Sequence, residues 1–234
     1  MIVDAHMHVW DRLHGRIGGE VALTAVRDGR VRVGDEERLG MPAYMADCNA
    51  LAEYIVAEFD AAGVDAGVVV QEYMDGEQND YLLEVLERFP GRFFAHALPD
   101  LFALDEAAAE AFGLFERGFR GLKLSAGHVA GRVLLDDPRL LAIYERMEHE
   151  GLVLAADLAE GEGQVVELER ILERFPSLRV AVGHFGLPTR GGWPGQLRLA
   201  RHEHVYLEGG GLVWLYRDEG YPFPGAVEAI RRAI

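Results

Sequence analysis

Apolar positions along this chain fall into short runs that alternate with longer amphipathic stretches. Ile2 and Val3 open a strand whose two-residue alternation puts Asp4, His6 and His8 on one side. The first substantial helix is predicted over Leu51 to Ala62, with Asp47 or Asn49 as its cap and Gly63 as its stop. Strands are then expected at 66–70, 92–97, 121–125, 152–156, 179–182 and 205–208. Helices are expected between them at 80–89, 104–116, 139–150, 164–175 and 195–200, and again from 225 onward. Buried strands each followed by a helix argue for a parallel sheet with right-handed crossovers.

Between the first strand and the first helix lies an insertion at about 9–48. Within it Val21 to Val26 and Arg30 to Val33 flank Asp28-Gly29, a hairpin signal. No linker or low-complexity segment divides the rest, so residues 1–234 read as one domain. Polar residues stand at nearly every strand exit, where barrels build their sites. The expected fold is therefore α/β, a distorted (β/α)8 TIM barrel with seven readable strands and the eighth missing at the C-terminus.

Composition narrows the partners. Acidic residues outnumber basic ones, 39 to 23, for a formal net charge of -16, which excludes a phosphate-backbone binder. Cys48 is the sole cysteine, so no internal disulfide can form, and a reducing cytoplasm is the expected compartment. No basic-apolar leader is expected, and no apolar run in the sequence reaches membrane-spanning length. A small molecule is the expected partner, with neither nucleic acid nor membrane involved.

The strand exits carry the chemistry. His6 and His8, two residues apart, can bite one divalent cation together; solvated histidines at a strand end are the plainer alternative. Gln71 and Glu72 follow the second strand and His96 ends the third. Lys123, in the fourth, is the only lysine in the chain, so its site asks for an amine where arginine serves elsewhere. A lysine merely snorkelling from the strand end competes with that reading. Asp157 follows the fifth strand and Glu208 ends the seventh. His184 leaves the sixth strand inside the turn Gly183-His184-Phe185-Gly186, either with a chemical task or held by backbone carbonyls. His14, His149, His202 and His204 read as surface residues, and His128 as one able to reach the barrel mouth. Trp10, Met41 and Met45 read as satellite core or as a lid.

These residues resemble the amidohydrolase-related family of metal-dependent hydrolases, which includes lactonases and aminocarboxymuconate-semialdehyde decarboxylase-like enzymes. The likeness runs from the opening Asp4-Ala5-His6-Met7-His8 through Gly121-Leu122-Lys123-Leu124 and Val182-Gly183-His184-Phe185-Gly186 to Val205-Tyr206-Leu207-Glu208. It implies one divalent metal ion, zinc or else manganese, on His6 and His8, with His184 as a further ligand or as the group that activates water or positions substrate. Asp157 stands where the family carries a strand-five histidine, and would serve as replacement ligand. The family's strand-eight aspartate should follow the helix near Ala226, whereas the sequence ends at Ile234; exposed barrel edges favour a further portion. A homodimer is the oligomer the family implies.

The activity so implied is hydrolysis of a small lactone or amide by metal-activated water. Catalytic roles would fall to His184, Lys123 and Asp157, substrate contacts to Lys123, His96, Gln71 and Glu208, and a supporting role behind the ligands to Asp4. Non-oxidative decarboxylation of an unsaturated or aromatic acid, a metal-free lactonase, and a degenerate barrel that binds a metabolite without turnover are the alternatives.

Overall fold

A computed structural model describes residues 1–129, 131–158 and 163–234. Residues 130 and 159–162 lie outside the described residues. β1 (Val3–Met7) leads into four antiparallel strands, β2 (His14–Ile17), β3 (Val21–Arg27), β4 (Arg30–Val33) and β5 (Glu36–Leu39). There follow α1 (Ala52–Ala62), β6 (Ala66–Val69), α2 (Asn79–Arg88), β7 (Phe93–Ala97), α3 (Ala107–Glu116), β8 (Gly121–Leu124), α4 (Ala126–Val129) and α5 (Leu141–Glu150). The chain continues through β9 (Val153–Ala156), α6 (Gly163–Arg174), β10 (Arg179–Val182), α7 (Trp193–Leu199), β11 (Val205–Leu207), α8 (Leu212–Leu215) and α9 (Pro224–Ala233).

Seven strands form one sheet in the order β1-β6-β7-β8-β9-β10-β11, every neighbouring pair parallel. It is an α/β barrel with one strand fewer than eight: among the described residues no strand follows α9, and β1 and β11 stay unpaired with each other. A hydrogen bond between His6 Nδ1 and Glu208 Oε2, 2.7 Å long, bridges these two edges at the exit end. The register aligns Leu124 with Ala156, and Ala156 and Leu207 each with Val182. Asp157, Gly183 and Glu208 therefore each stand one residue beyond their strands, side by side.

Local chemistry accounts for the boundaries. α1 stops where Gly63 turns left-handed (φ 70°) and its amide returns to the Phe59 carbonyl. Its start corrects the sequence expectation. Neither Asp47 nor Asn49 caps it; Leu51 holds that position without a side-chain bond, and the Ala52 amide donates to the Tyr81 hydroxyl at 3.0 Å. The expected hairpin is β3–β4, with Asp28 and Gly29 both at positive φ (51° and 71°) as a type I′ turn requires. β2 and β5 widen it to four strands around Leu23, Val31 and Leu13, against which Trp10 and Met41 pack. This small sheet docks on the barrel through the loop after β6. The His14 amide donates to the Asp75 carbonyl and the Arg16 amide to the Tyr73 carbonyl, at 3.2 and 2.6 Å. A Cβ at Gly15 would lie 2.1 Å from the Met74 carbonyl oxygen, so only glycine permits that approach. No described helix is long and apolar enough to cross a membrane.

Under the exit of β6 a buried polar network fixes the loop to the barrel. Asn79 Oδ1 accepts from Gln71 Nε2 and the Leu98 amide, each at 2.9 Å, and Asn79 Nδ2 donates to the Leu98 carbonyl at 3.0 Å. Gln71 Nε2 also donates to the His96 carbonyl at 2.7 Å, and Gln71 Oε1 accepts from the Gln78 amide at 2.7 Å. Asn79→Ala leaves the buried Leu98 amide and carbonyl unmatched. It is expected to cost about 2–3 kcal/mol in urea unfolding, lowering the midpoint at unchanged m-value.

Candidate active site

Alternation along β8 sends Leu122 and Leu124 toward the helices and Lys123 into the barrel, where its side chain is wholly buried. Its Nζ lies 2.5 Å from Asp157 Oδ2 and 3.1 Å from Glu72 Oε1. His184 Nε2 stands 3.6 Å from the same Asp157 oxygen, and His128 Nε2 stands 3.6 Å from Glu72 Oε2. The result is a chain of groups, His184–Asp157–Lys123–Glu72–His128, across the exits of β10, β9, β8 and β6.

Burial and charge set the state of each member. Burial works against ionised Asp157, but the Lys123 ammonium outweighs it and holds the carboxyl well below the usual range. Burial likewise opposes the Lys123 charge, and Asp157 with Glu72 more than restores it, so the amine stays protonated. Glu72 is pushed up to about 7, chiefly by burial, which Lys123 only partly offsets. His184 and His128 are both pushed down from the ordinary histidine value by burial, with the neighbouring carboxylate opposing.

Two further imidazoles join from β1. His6 is fixed by Glu208, and His8 Nδ1 contacts Asp75 Oδ2 at 2.9 Å. The His6 ring centroid lies 5.6 Å from that of His8 and 4.5 Å from that of His184. Glycines make this crowding possible: a Cβ on Gly183 would fall 2.0 Å from Asp157 Oδ1 and 3.2 Å from the His6 ring. His184 (φ 52°), Phe185 (φ 55°) and Leu187 (φ 55°) all adopt left-handed backbone, each at a cost of about 1–3 kcal/mol. The turn is held by the Phe185 amide on the Glu208 carbonyl and by the Trp193 indole on the Phe185 carbonyl.

Above these groups opens a cavity of about 790 Å³. His8, Glu72, Asp75, His128, Asp157 and His184 line its polar floor, and Trp10, Met74, Leu158, Leu187 and Trp214 its walls, with Arg190 also on its lining. Not every residue picked from the sequence reaches it. Gln71 is buried and spends its amide on the loop network; His96 is buried beneath the site, its Nδ1 on the Val69 carbonyl, and burial drives it down to about 3. Neither lines the cavity, where a substrate contact was expected of both. Two-residue alternation says which side a residue faces, not how deep it lies. Glu208 orients His6 instead of lining the cavity, and Lys123 stands behind its two carboxylates. Asp4 is exposed and accepts from the His6 amide. Asp75, Trp214 and Arg190 were not singled out from the sequence. Asp75 carries a signal only once the loop after β6 is folded against His8.

Whether a divalent cation suits these residues can be judged from their free atoms. His6 Nε2, Asp157 Oδ1 and His184 Nδ1 are buried without hydrogen-bond partners among the described residues. A carboxylate on Nδ1 of His6 and of His8 leaves Nε2 of each for a ligand, the usual outer support of a metal-binding histidine. Two imidazoles on one zinc, at bonds of about 2.0–2.1 Å, have centroids about 5 Å apart, close to the separations seen. Among the described residues no three His, Cys, Asp or Glu side chains stand grouped so as to hold a metal ion. The donor chemistry fits a cation on the histidine pair, with Asp157 Oδ1 as the nearby acidic donor.

A parallel α/β barrel with imidazoles and carboxylates gathered at its strand exits defines the class of the amidohydrolase-type barrels. The family model described as amidohydrolase matches residues 3–234, and the chain belongs to that family. An amidohydrolase from Burkholderia multivorans with bound zinc is similar in structure, with TM-score 0.68, 16% identity, and coverage of 100% of this chain and 79% of that one. A probable 2-pyrone-4,6-dicarboxylic acid hydrolase from Acinetobacter baumannii, with citric acid bound, gives TM-score 0.62 and 17% identity over 99% and 91% of the two chains. A 2,6-dihydroxybenzoate decarboxylase from Rhizobium gives 0.53 and 15% over 78% and 82%. No curated protein matches the sequence.

Lys123→Met leaves two buried carboxyls without their cation and is expected to cost about 3–5 kcal/mol at neutral pH. In the variant burial raises both carboxyls above their unfolded values. The stability they allow is then present below about pH 4 and lost as pH rises, whereas the native Asp157 contribution is present above that pH and lost on acidification. Urea unfolding of both proteins from pH 4 to 8 should show a gap that widens with pH.

Proposed function

We propose that the protein is a hydrolase that opens a small cyclic ester, a lactone in preference to an amide, with water on the cavity floor. One divalent cation, zinc before manganese, would be held by His6 and His8 with Asp157 as acidic ligand. When bound, such a cation lowers the pKa of its water to about 7 and polarises a carbonyl. The reading rests on one observation: Asp157 and His184 on the cavity floor, and the His6 ring 4.5 Å from that of His184, each keep a buried polar atom without a hydrogen-bond partner among the described residues.

The chain's own groups divide the remaining work. His184, kept neutral by burial, accepts a proton from the attacking water. Lys123, behind the floor, keeps Asp157 ionised and so sets the charge that faces the substrate. Glu72, at about 7, is poised to return a proton to the leaving alkoxide, so two groups of different environment share acid and base roles. Trp10 and Trp214 supply aromatic surface to the cavity lining.

Purified protein should retain about one equivalent of metal per chain by elemental analysis and hydrolyse members of a lactone panel. His184→Asn should lower kcat by about 100-fold or more while keeping the metal, and His6→Ala should lose it. Carbon dioxide release from aromatic or unsaturated acids, with no ester opening, would instead identify a decarboxylase. Unchanged turnover after chelation would support a metal-free lactonase, and ligand binding without turnover a non-catalytic barrel.

A further inference from the structure

His6 and His8 are oriented from two different parts of the molecule. Glu208, one residue beyond β11, holds His6 from within the barrel, its Oε2 lying 2.7 Å from Nδ1. His8 is held by Asp75, in the loop between β6 and α2, with Oδ2 at 2.9 Å from Nδ1. The backbone of that loop is paired with the inserted sheet. Asp75, whose carboxylate meets His8, accepts at its carbonyl from the His14 amide of β2, at 3.2 Å. Two residues earlier the Tyr73 carbonyl accepts from the Arg16 amide at 2.6 Å. Between these bonds Gly15 lies against the Met74 carbonyl, with no room for a Cβ. Gln78 adds a clip, its Nε2 donating to the Arg12 carbonyl at 2.9 Å and to the Asp75 carbonyl at 3.3 Å.

An imidazole whose Nδ1 donates to a fixed carboxylate keeps its proton there and turns the Nε2 lone pair toward a ligand. Where Asp75 stands therefore decides where His8 Nε2 points. A loop holds a side chain in place only as firmly as its own backbone is paired, and here β2 supplies that pairing. We propose that the inserted sheet is a positioning element for His8 that acts through Asp75, with Asp75 and Gly15 as its positioning residues. This rests on His8's being a ligand of the cation in the reading above. The two histidines of the opening motif thus answer to separate supports, His6 to the barrel and His8 to the insert.

Zinc affinity of the purified chain, measured by competition with a chromophoric chelator, tests this. Asp75→Ala is expected to weaken zinc binding by about 10–100-fold, and Asp75→Asn, which keeps an acceptor for the His8 Nδ1–H, by less. Gly15→Ala should weaken it by about tenfold on its own and add nothing beside Asp75→Ala, because both changes act on one path. Beside Glu208→Gln the Gly15→Ala loss should persist in full. Should Gly15→Ala not fold, Gln78→Ala takes its place with the same expectation. In the metal-free protein at alkaline pH, nitrogen-15 spectra should show His8 as the Nδ1–H tautomer, and Asp75→Ala should release it to a mixture. Unchanged zinc affinity in Asp75→Ala, an unaltered His8 tautomer, or an equal insert-side loss with and without Asp75 each overturns the proposal alone. A native chain that binds no zinc overturns the reading beneath it, and the proposal with it.

Discussion

The ammonium of Lys123, buried between Asp157 and Glu72, is the interaction on which the site depends. An isolated charge in that position would shed its proton, and two carboxylates so placed would not both ionise. Together they form a matched group whose members hold each other's states: Asp157 ionised, the amine protonated, Glu72 balanced near 7. Since Lys123 belongs to β8 while Asp157 and Glu72 follow β9 and β6, the same contacts tie three strand exits together. The compact ammonium of Lys123, on its flexible stem, reaches both carboxylates from a wholly buried position, which gives physical sense to the single lysine of the chain.

A second constraint comes from the sheet's open side. β1 and β11 do not pair, yet His6 and Glu208 meet across the gap, and Gly183 lets the His6 ring come close to Asp157. The first histidine of the opening motif is thus positioned by the last strand. The strained turn at His184 through Leu187 is held by Glu208's carbonyl and Trp193's indole, so its backbone cost is sustained by long-range contacts.

Much of this was legible in the sequence. Strand and helix order follows from periodicity, because the strands of the barrel are short, largely apolar runs separated by amphipathic stretches. Lys123 announced itself by being alone, and His6, His8, Asp157 and His184 by following apolar runs at the chain positions where barrels place their chemistry. Other features depended on depth or on distant partners. His96 and Gln71 share a strand-exit signature with Glu72 but lie beneath the floor. β5, Glu36–Leu39, is exposed throughout and shows no alternation. Asp75 and Arg190 are ordinary charged loop residues until folding puts one against His8 and the other beside the cavity.

The most direct test of the account is an anomalous difference map from zinc-treated crystals of the protein. The account predicts a single strong peak within about 2.0–2.2 Å of Nε2 of both His6 and His8, with Asp157 adjacent. A cavity floor without such a peak, or zinc bound only elsewhere on the molecule, would contradict it.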